Sequence, residues 1–247
     1  MLDEQTLGGK QNSLRDILRR MGSVLVAYSG GVDSSFLLWS AVQALGAEKV
    51  TAATARSPIY VEQDEATLGE LPRALGVRQI FLHPRQLEDE EFVHNPRDRC
   101  YYCKRGVLGE LAGVARREGA EWVVEGSNFD DLGDYRPGER AVREANARSP
   151  LREAGLTKAE IRELARRAGL TVWNKPAESC LAARFPYGAE ITAEALARVR
   201  AAEAAVKALG FHDVRVRDYR TMARIEVAAE EVARLAAPDV AAQVVQA

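Results

Sequence analysis

An α/β fold built on a parallel sheet, followed by a small C-terminal α+β domain, is predicted by three features of this 247-residue chain. Up to about residue 175, short apolar runs alternate with helix-length segments, the pattern of strands buried on both faces between crossover helices. A glycine- and serine-rich turn joins the run Val24-Leu25-Val26-Ala27 to a helix. After residue 176 the rhythm changes to one helix and two strands in which charged and apolar residues alternate, the mark of a sheet wet on one face. The expected domains are therefore 1–175 and 176–247.

Residues 13–20 read as a first helix with Leu14, Ile17 and Leu18 on one side, and the first βα unit follows at 24–45. A second strand is expected at 49–54, with Ala55-Arg56-Ser57-Pro58 as its exit loop. A helix over 61–75 starts acid-rich, as helix N-termini prefer, and is closed by Gly76; a third strand lies at 79–82. Residues 83–105 mix acid, proline and aromatics and deliver Cys100-x-x-Cys103; they read as a long irregular insertion, which in a compact α/β domain carries function. A helix at 104–118, a strand at 121–125 and a loop at 132–147 follow. Thr157-Lys158-Ala159-Glu160 is a capping box that opens the next helix. In the second domain Ile191-Thr192-Ala193-Glu194 reads as another. A helix over 193–209, strands at 213–218 and 222–228 and a last helix from about 229 complete the chain.

The turn Tyr28-Ser29-Gly30-Gly31-Val32-Asp33-Ser34-Ser35 has the chemistry of a phosphate cradle. Paired glycines let backbone N–H groups approach an anion, the hydroxyls of Ser29, Ser34 and Ser35 add donors, and the helix N-terminus adds partial positive charge. Residues 29–34 (Ser29, Gly30, Gly31, Val32, Asp33, Ser34) are expected to hold the pyrophosphate half of ATP, with Asp33 placed to reach a phosphate-bound Mg²⁺. The lysine of the G-x-x-x-x-G-K-[ST] loop is absent, which excludes the γ-phosphate grip of that class. Ligands of open α/β sheets lie outside the carboxyl ends of the strands, so Thr54 to Ser57 are expected to face the nucleotide. Gly126, Asp130 and Asp131 follow a later strand. The two aspartates either complete Mg²⁺ coordination or cap a helix; Lys104 and Arg148 either neutralise phosphate or are surface bases.

A formal charge of −2, from 34 basic and 36 acidic residues, offers no electrostatic case for nucleic acid or an anionic membrane. No apolar run approaches the ~20 residues that span a bilayer. The first residues, MLDEQTLGGKQNSL, have no apolar core and predict no secretory signal. Three cysteines, at 100, 103 and 180, do not suit a secreted disulfide framework. They fit reactive or ligating thiols in a cytoplasmic protein.

Cys100-x-x-Cys103 alone reads as a zinc half-site, a redox pair or two inert residues. For zinc, a fourth ligand beyond Cys180 has to come from His83, His94 or His212. Three cysteines without an evident fourth ligand fit a [4Fe–4S] cluster with one open iron, able to carry hydrosulfide. In the second domain Arg215 and Arg217 share one strand face and match a phosphate monoester; Glu203 and Glu226 stand ready for a divalent ion or for salt bridges.

The motif SGGVDSS resembles the pyrophosphate loop of the ATP-pyrophosphatase (PP-loop, adenine nucleotide alpha hydrolase-like) superfamily, whose members split ATP between the α- and β-phosphates. AYSGGVDSSFLL, CYYCK, VVEGSNFDD, ARSPL, NKPAESCLAARFPYG and RVRDYRTMARIEV together are similar to the ATP-dependent sulfur transferases that build the nickel-pincer nucleotide cofactor of lactate racemase. That resemblance implies a substrate, pyridinium-3,5-biscarboxylic acid mononucleotide, whose carboxylates are adenylylated and converted to thiocarboxylates. It implies an external sulfide or sulfur donor, a downstream nickel insertase, and a homo-oligomer, a hexamer in relatives. It assigns the substrate phosphate to Arg215 and Arg217, a divalent ion to Glu203 and Glu226, and the sulfur chemistry to Cys180; together with Asp33 and Lys104, read above from their own positions, Cys180 is expected to carry catalysis. Members with one cysteine sacrifice the sulfur at the position of Cys180 and leave dehydroalanine. Because Cys100 and Cys103 are also present, the expectation here is the cluster type, with all three cysteines as ligands; the sacrificial route and a cluster-dependent tRNA thiolase are the alternatives.

Overall fold

Four parallel strands in the order β3-β2-β1-β4 form the sheet of the first unit. The computed structural model describes residues 4–61 and 64–246. The chain divides into two units: residues 1–57, 63–85 and 98–177 form one, and 58–62, 86–97 and 178–247 the other.

Helix α1 (Glu4–Met21) starts nine residues earlier than the sequence periodicity suggests, 13 − 4 = 9. Leu7 is buried one heptad before Leu14, so packing of that stripe overrides the poor helix propensity of Gly8 and Gly9. Strand β1 (Val24–Ala27) runs beside β2 (Val50–Ala55) on one side and β4 (Trp122–Val124) on the other. Its side chains alternate between two cores. Val24 and Val26 pack with α1, α2 (Val32–Leu45) and, further along the chain, residues 161–165. Leu25 faces the opposite layer. Phe36, Leu37, Leu38 and Ala41 of α2 are fully buried; a leucine or phenylalanine removed from water in this way contributes about 1.5–3 kcal/mol.

Helix α3 (Glu65–Ala74) begins after Asp64, so Val61 is not helical; Glu62 and Gln63, within the expected helix, lie outside the described residues. Strand β3 (Arg78–Leu82) follows. The stretch expected to be irregular differs most. It holds a 3₁₀ turn at 86–88 and a short helix α4 (Glu90–Val93), capped by the Asp89 side chain. Helix α5 (Arg99–Glu118) then starts early enough to carry both Cys100 and Cys103. Tyr101 extends the buried stripe of Leu108, Leu111 and Val114 backward, and that aromatic anchor makes the cysteine segment helical. The expected loop after β4 contains α6 (Gly138–Glu144), because Ala141 and Val142 pack against α5. Helix α7 (Pro150–Glu153) follows, and α8 (Lys158–Arg167) opens on the predicted capping box: Thr157 accepts from the Glu160 amide while Glu160 accepts from that of Thr157.

In the second unit, α9 (Ala193–Ala208) is capped by Thr192, which accepts from Ala195 N; the residue at that third position is Ala195, so Glu194 completes no capping box. Strands β5 (Arg215–Asp218) and β6 (Ala223–Glu226) pair antiparallel, and short helices α10 (Val232–Leu235) and α11 (Pro238–Gln246) follow a 3₁₀ turn. Val206, Phe211, Val214 and Val216 are its core. Among the described residues no helix is long and apolar enough to cross a membrane.

Because the Thr157 cap is fully formed, Thr157→Ala is expected to lower stability by about 1 kcal/mol, read as a fall of about 2–4 °C in Tm by thermal unfolding.

Candidate active site

The carboxyl ends of β1, β2 and β4 converge where α2 begins. After Ala27 the chain turns through Gly30, whose φ of 73° is open to glycine and strained for other residues. Ser29 and Ser34 tie the turn from within: Ser34 Oγ donates to Gly31 O at 3.1 Å, accepts from Ser29 N at 3.2 Å and lies 3.1 Å from Ser29 Oγ. Val32 sends its side chain into the core and offers the turn only its backbone. No side chain caps α2, so its first amides are left for an anion.

Asp33, in the first turn of α2, ion-pairs with Lys158 at 2.5 Å. Its second oxygen, Oδ1, is buried without a hydrogen-bond partner. Burial pushes its carboxyl above the ordinary value, against the pull of the Lys158 ammonium. A buried carboxylate oxygen with no donor keeps a lone pair for an incoming cation or water. Lys158 was not among the residues singled out from sequence, although it directly follows the recognised cap Thr157. Its backbone N donates to Asp130 Oδ2 at 2.8 Å. Asp131 is buried, accepts from Asn128 N at 2.8 Å and pairs with Arg136 at 2.7 Å. Both aspartates thus act here on helix starts, with Asp131 close enough to raise the Asp33 pKa further.

Gly126 leaves β4 directly behind this turn. A Cβ placed on it would stand 3.1 Å from Ser34 N and 3.3 Å from Asp33 Cβ. The residue before it, Glu125, is another that sequence reasoning passed over. Its carboxylate accepts from Lys104 Nζ at 2.7 Å, Ser127 Oγ at 2.8 Å, Ser127 N at 3.2 Å and Ser149 Oγ. Burial disfavours its charge, but Lys104 and the serine hydroxyls outweigh burial and hold the carboxyl below its ordinary value. Lys104 is thereby brought to the same edge of the sheet, whereas Arg148 pairs with Glu153. The Thr54 hydroxyl accepts from Gln79 Nε2 at 2.9 Å inside the sheet, while Ser57 Oγ is buried and unpartnered.

Cys100 is exposed and Cys103 half-buried on the first turn of α5, braced by Tyr101, which donates to Glu144 at 2.7 Å beneath the Arg140 guanidinium. Cys180, half-buried and in no disulfide, belongs to the second unit and precedes the 3₁₀ turn 181–184. Among the described residues no three His, Cys, Asp or Glu side chains come together as a metal-holding group. Glu203 is buried and paired with Arg184 at 2.6 Å. Glu226 pairs with Arg217 at 2.7 Å and with Arg224 at 2.6 Å, and hydrogen bonds from Arg217 bring its carboxyl down to about 2. Arg217 spends its fork on Glu226 and on Ala183 O; Arg215, two residues back on β5, is exposed.

This geometry, a glycine-serine turn feeding an uncapped helix at the carboxyl edge of a parallel sheet, with an aspartate and two lysines around it, defines an ATP-utilising enzyme of the PP-loop type. No protein-family model matches the chain. It is 38% identical over 226 residues to an uncharacterised protein of Synechocystis sp., covering 92% of this chain and 84% of that protein. It is 38% identical over 222 residues to the pyridinium-3,5-bisthiocarboxylic acid mononucleotide synthase of Lactiplantibacillus plantarum, covering 90% and 80%. An uncharacterised protein of Methanocaldococcus jannaschii is 29% identical over 218 residues, 88% of this chain and 82% of that protein. The chain belongs to the family of the Lactiplantibacillus synthase and is a transferase.

Two outcomes follow from the geometry. Gly126→Ala forces a methyl against the Ser34 amide and is expected to cost about 1–3 kcal/mol and to weaken ATP binding, measured by urea unfolding and titration calorimetry. Glu125 is stabilising while ionised, so its contribution is complete above its ordinary pKa of 4.5 and is lost as pH falls through the lower folded value. The stability gap between wild type and Glu125→Gln should therefore shrink below that pH in denaturant titrations.

Proposed function

We propose that the chain inserts sulfur into the carboxylates of pyridinium-3,5-biscarboxylic acid mononucleotide, using ATP and Mg²⁺, and that Cys180 handles the sulfur. The observation that carries this reading is the free Asp33 oxygen beside an uncapped phosphate turn in a chain 38% identical to a bisthiocarboxylic acid mononucleotide synthase. A carboxylate is a poor electrophile, and its oxygen leaves only after conversion to a mixed anhydride. The ring carboxylate attacks the α-phosphorus, the bond to the β-phosphate breaks, and pyrophosphate leaves. Attack of sulfide on the acyl carbon then expels AMP and leaves the thiocarboxylate. In this scheme the turn amides, Ser29 and Ser34 hold the phosphates. Asp33 Oδ1 takes the metal ion that ATP brings, and Lys104 and Lys158 offset charge on the leaving pyrophosphate. Arg215, with Arg217 beside it on β5, takes the substrate phosphate.

For the sulfur source, Cys100, Cys103 and Cys180 would hold a [4Fe–4S] cluster, which would supply a carrier for hydrosulfide. Three cysteines outside any disulfide, two of them one helical turn apart, support that donor set. The second reading is that Cys180 gives up its own sulfur and becomes dehydroalanine. Domains at 1–175 and 176–247, a divalent ion on Glu203 and Glu226, a hexamer, an external sulfur donor and a downstream nickel insertase complete the proposal.

With ATP and the mononucleotide, pyrophosphate release should match thiocarboxylate formation. Anaerobic reconstitution with iron and sulfide should give stoichiometric iron that alanine at any of the three cysteines reduces. No bound iron, together with a Cys180 peptide lighter by one H₂S after turnover, would overturn the cluster in favour of sacrifice; no pyrophosphate would overturn the function.

A further inference from the structure

A buried ion pair in the second unit takes part in none of the chemical steps above; its carboxylate, Glu203, is the one named there for a divalent ion and is held here by Arg184. Arg184 ends the 3₁₀ turn that starts after Cys180, and Glu203 projects from α9; their side chains are only 5% and 4% exposed. Arg184 Nε donates to Glu203 Oε1 at 2.6 Å and Nη2 donates to Oε2 at 3.3 Å. The remaining nitrogen, Nη1, turns back along the chain. It donates to Ser179 Oγ at 2.5 Å and lies 3.4 and 3.5 Å from the carbonyl oxygens of Ser179 and Cys180. Glu203 reaches the other way, accepting from Val216 N of β5 at 3.1 Å, and the next residue, Arg217, donates to Ala183 O at 3.1 Å. The thiol segment, α9 and the arginine strand are thus joined through one guanidinium and one carboxylate.

Stability does not require such a pair. Two charges taken out of water lose in solvation about what they gain from each other, and apolar side chains of the same volume serve as well or better. What apolar side chains lack is direction: a planar guanidinium fixes where each of its five N–H groups points. Here that direction is spent on the two residues that carry the thiol. Residues 175–180 have no regular secondary structure, and residues 176–179 are exposed, so without such a hold the thiol's position would follow a flexible chain.

We propose that Arg184 and Glu203 are positioning residues for Cys180, locking the thiol segment in register with the Arg215–Arg217 strand. The functional consequence rests on Cys180 as the sulfur-handling residue; the positioning itself does not.

The test follows alkylation of Cys180 and Cys100 by iodoacetamide, read by peptide mass spectrometry on the full chain with chelator and reductant present so that all three thiols are free. Arg184→Lys keeps the charge and loses the fork; it should speed Cys180 alkylation about ten-fold and leave Cys100 unchanged. Ser179→Ala removes only one bond to Nη1, leaves the buried pair intact, and should give a smaller, roughly three-fold rise. In sulfur transfer both variants should lower kcat with the KM for ATP unchanged. An unchanged Cys180 rate in the folded variants overturns the proposal, and if Arg184→Lys does not fold, an unchanged rate in Ser179→Ala alone does so. A wild-type protein that transfers no sulfur while its variants alkylate faster would retire the sulfur reading and leave the positioning pair standing.

Discussion

One ionised carboxylate, that of Glu125, holds the carboxyl edge of the sheet together. It gathers three segments far apart in sequence: the second turn of α5 through Lys104, the exit of β4 through Ser127, and the stretch before α7 through Ser149. An isolated charge at such depth costs several kcal/mol, and one neutral hydrogen bond returns only about 1 kcal/mol. Glu125 is stable because it accepts from a cation, two hydroxyls and an amide at once, which leaves its lone pairs satisfied. The turn that carries Cys100 and Cys103 is therefore tied to the strand end that lies behind the phosphate turn.

The phosphate turn itself depends on a different economy. Parallel strands place all their carboxyl ends on one edge, and right-handed crossovers return each helix N-terminus to that edge. Asp33 and the uncapped amides of α2 consequently face the space where phosphates are expected, and Lys158 reaches Asp33 because the capping box starts α8 at the residue before it. The close approach of Gly126 to Ser34 keeps the strand exit and the turn in contact. A chain with the same motif but a bulkier residue there would have to open the edge.

Much of this was legible from local pattern. The glycine-serine turn, the two-faced burial of Val24–Ala27 and the Thr157 capping box are each decided by residues within a few positions of one another, and each appears as read. The helical start at Arg99 was not legible, because the polar neighbours of Tyr101 hide an aromatic that packs only once α6 is present. Lys158 and Glu125 escaped notice for a related reason: their partners are 125 and 21 residues away. The alternation of Arg215 and Arg217 correctly places both on one strand face. It does not reveal register, and register sets Glu226 opposite Arg215 and diagonal to Arg217, where it consumes the Arg217 fork.

The choice of cation in the three carboxylate pairs follows the task of each. Lys104 and Lys158 keep 32% and 31% of their side chains exposed. An ammonium has three donors on a single point of charge, so a lysine committed to one carboxylate keeps donors for a further acceptor. Arg184 is enclosed, with its fork shared between Glu203 and the thiol segment. A lysine there would supply the charge and lose the angle. An arginine at Lys104 or Lys158 would bring a bulkier, flatter group to the carboxyl edge of the sheet. A point charge suits a pair that stays partly open to solvent, and a rigid fork serves where the protein must hold its own backbone still.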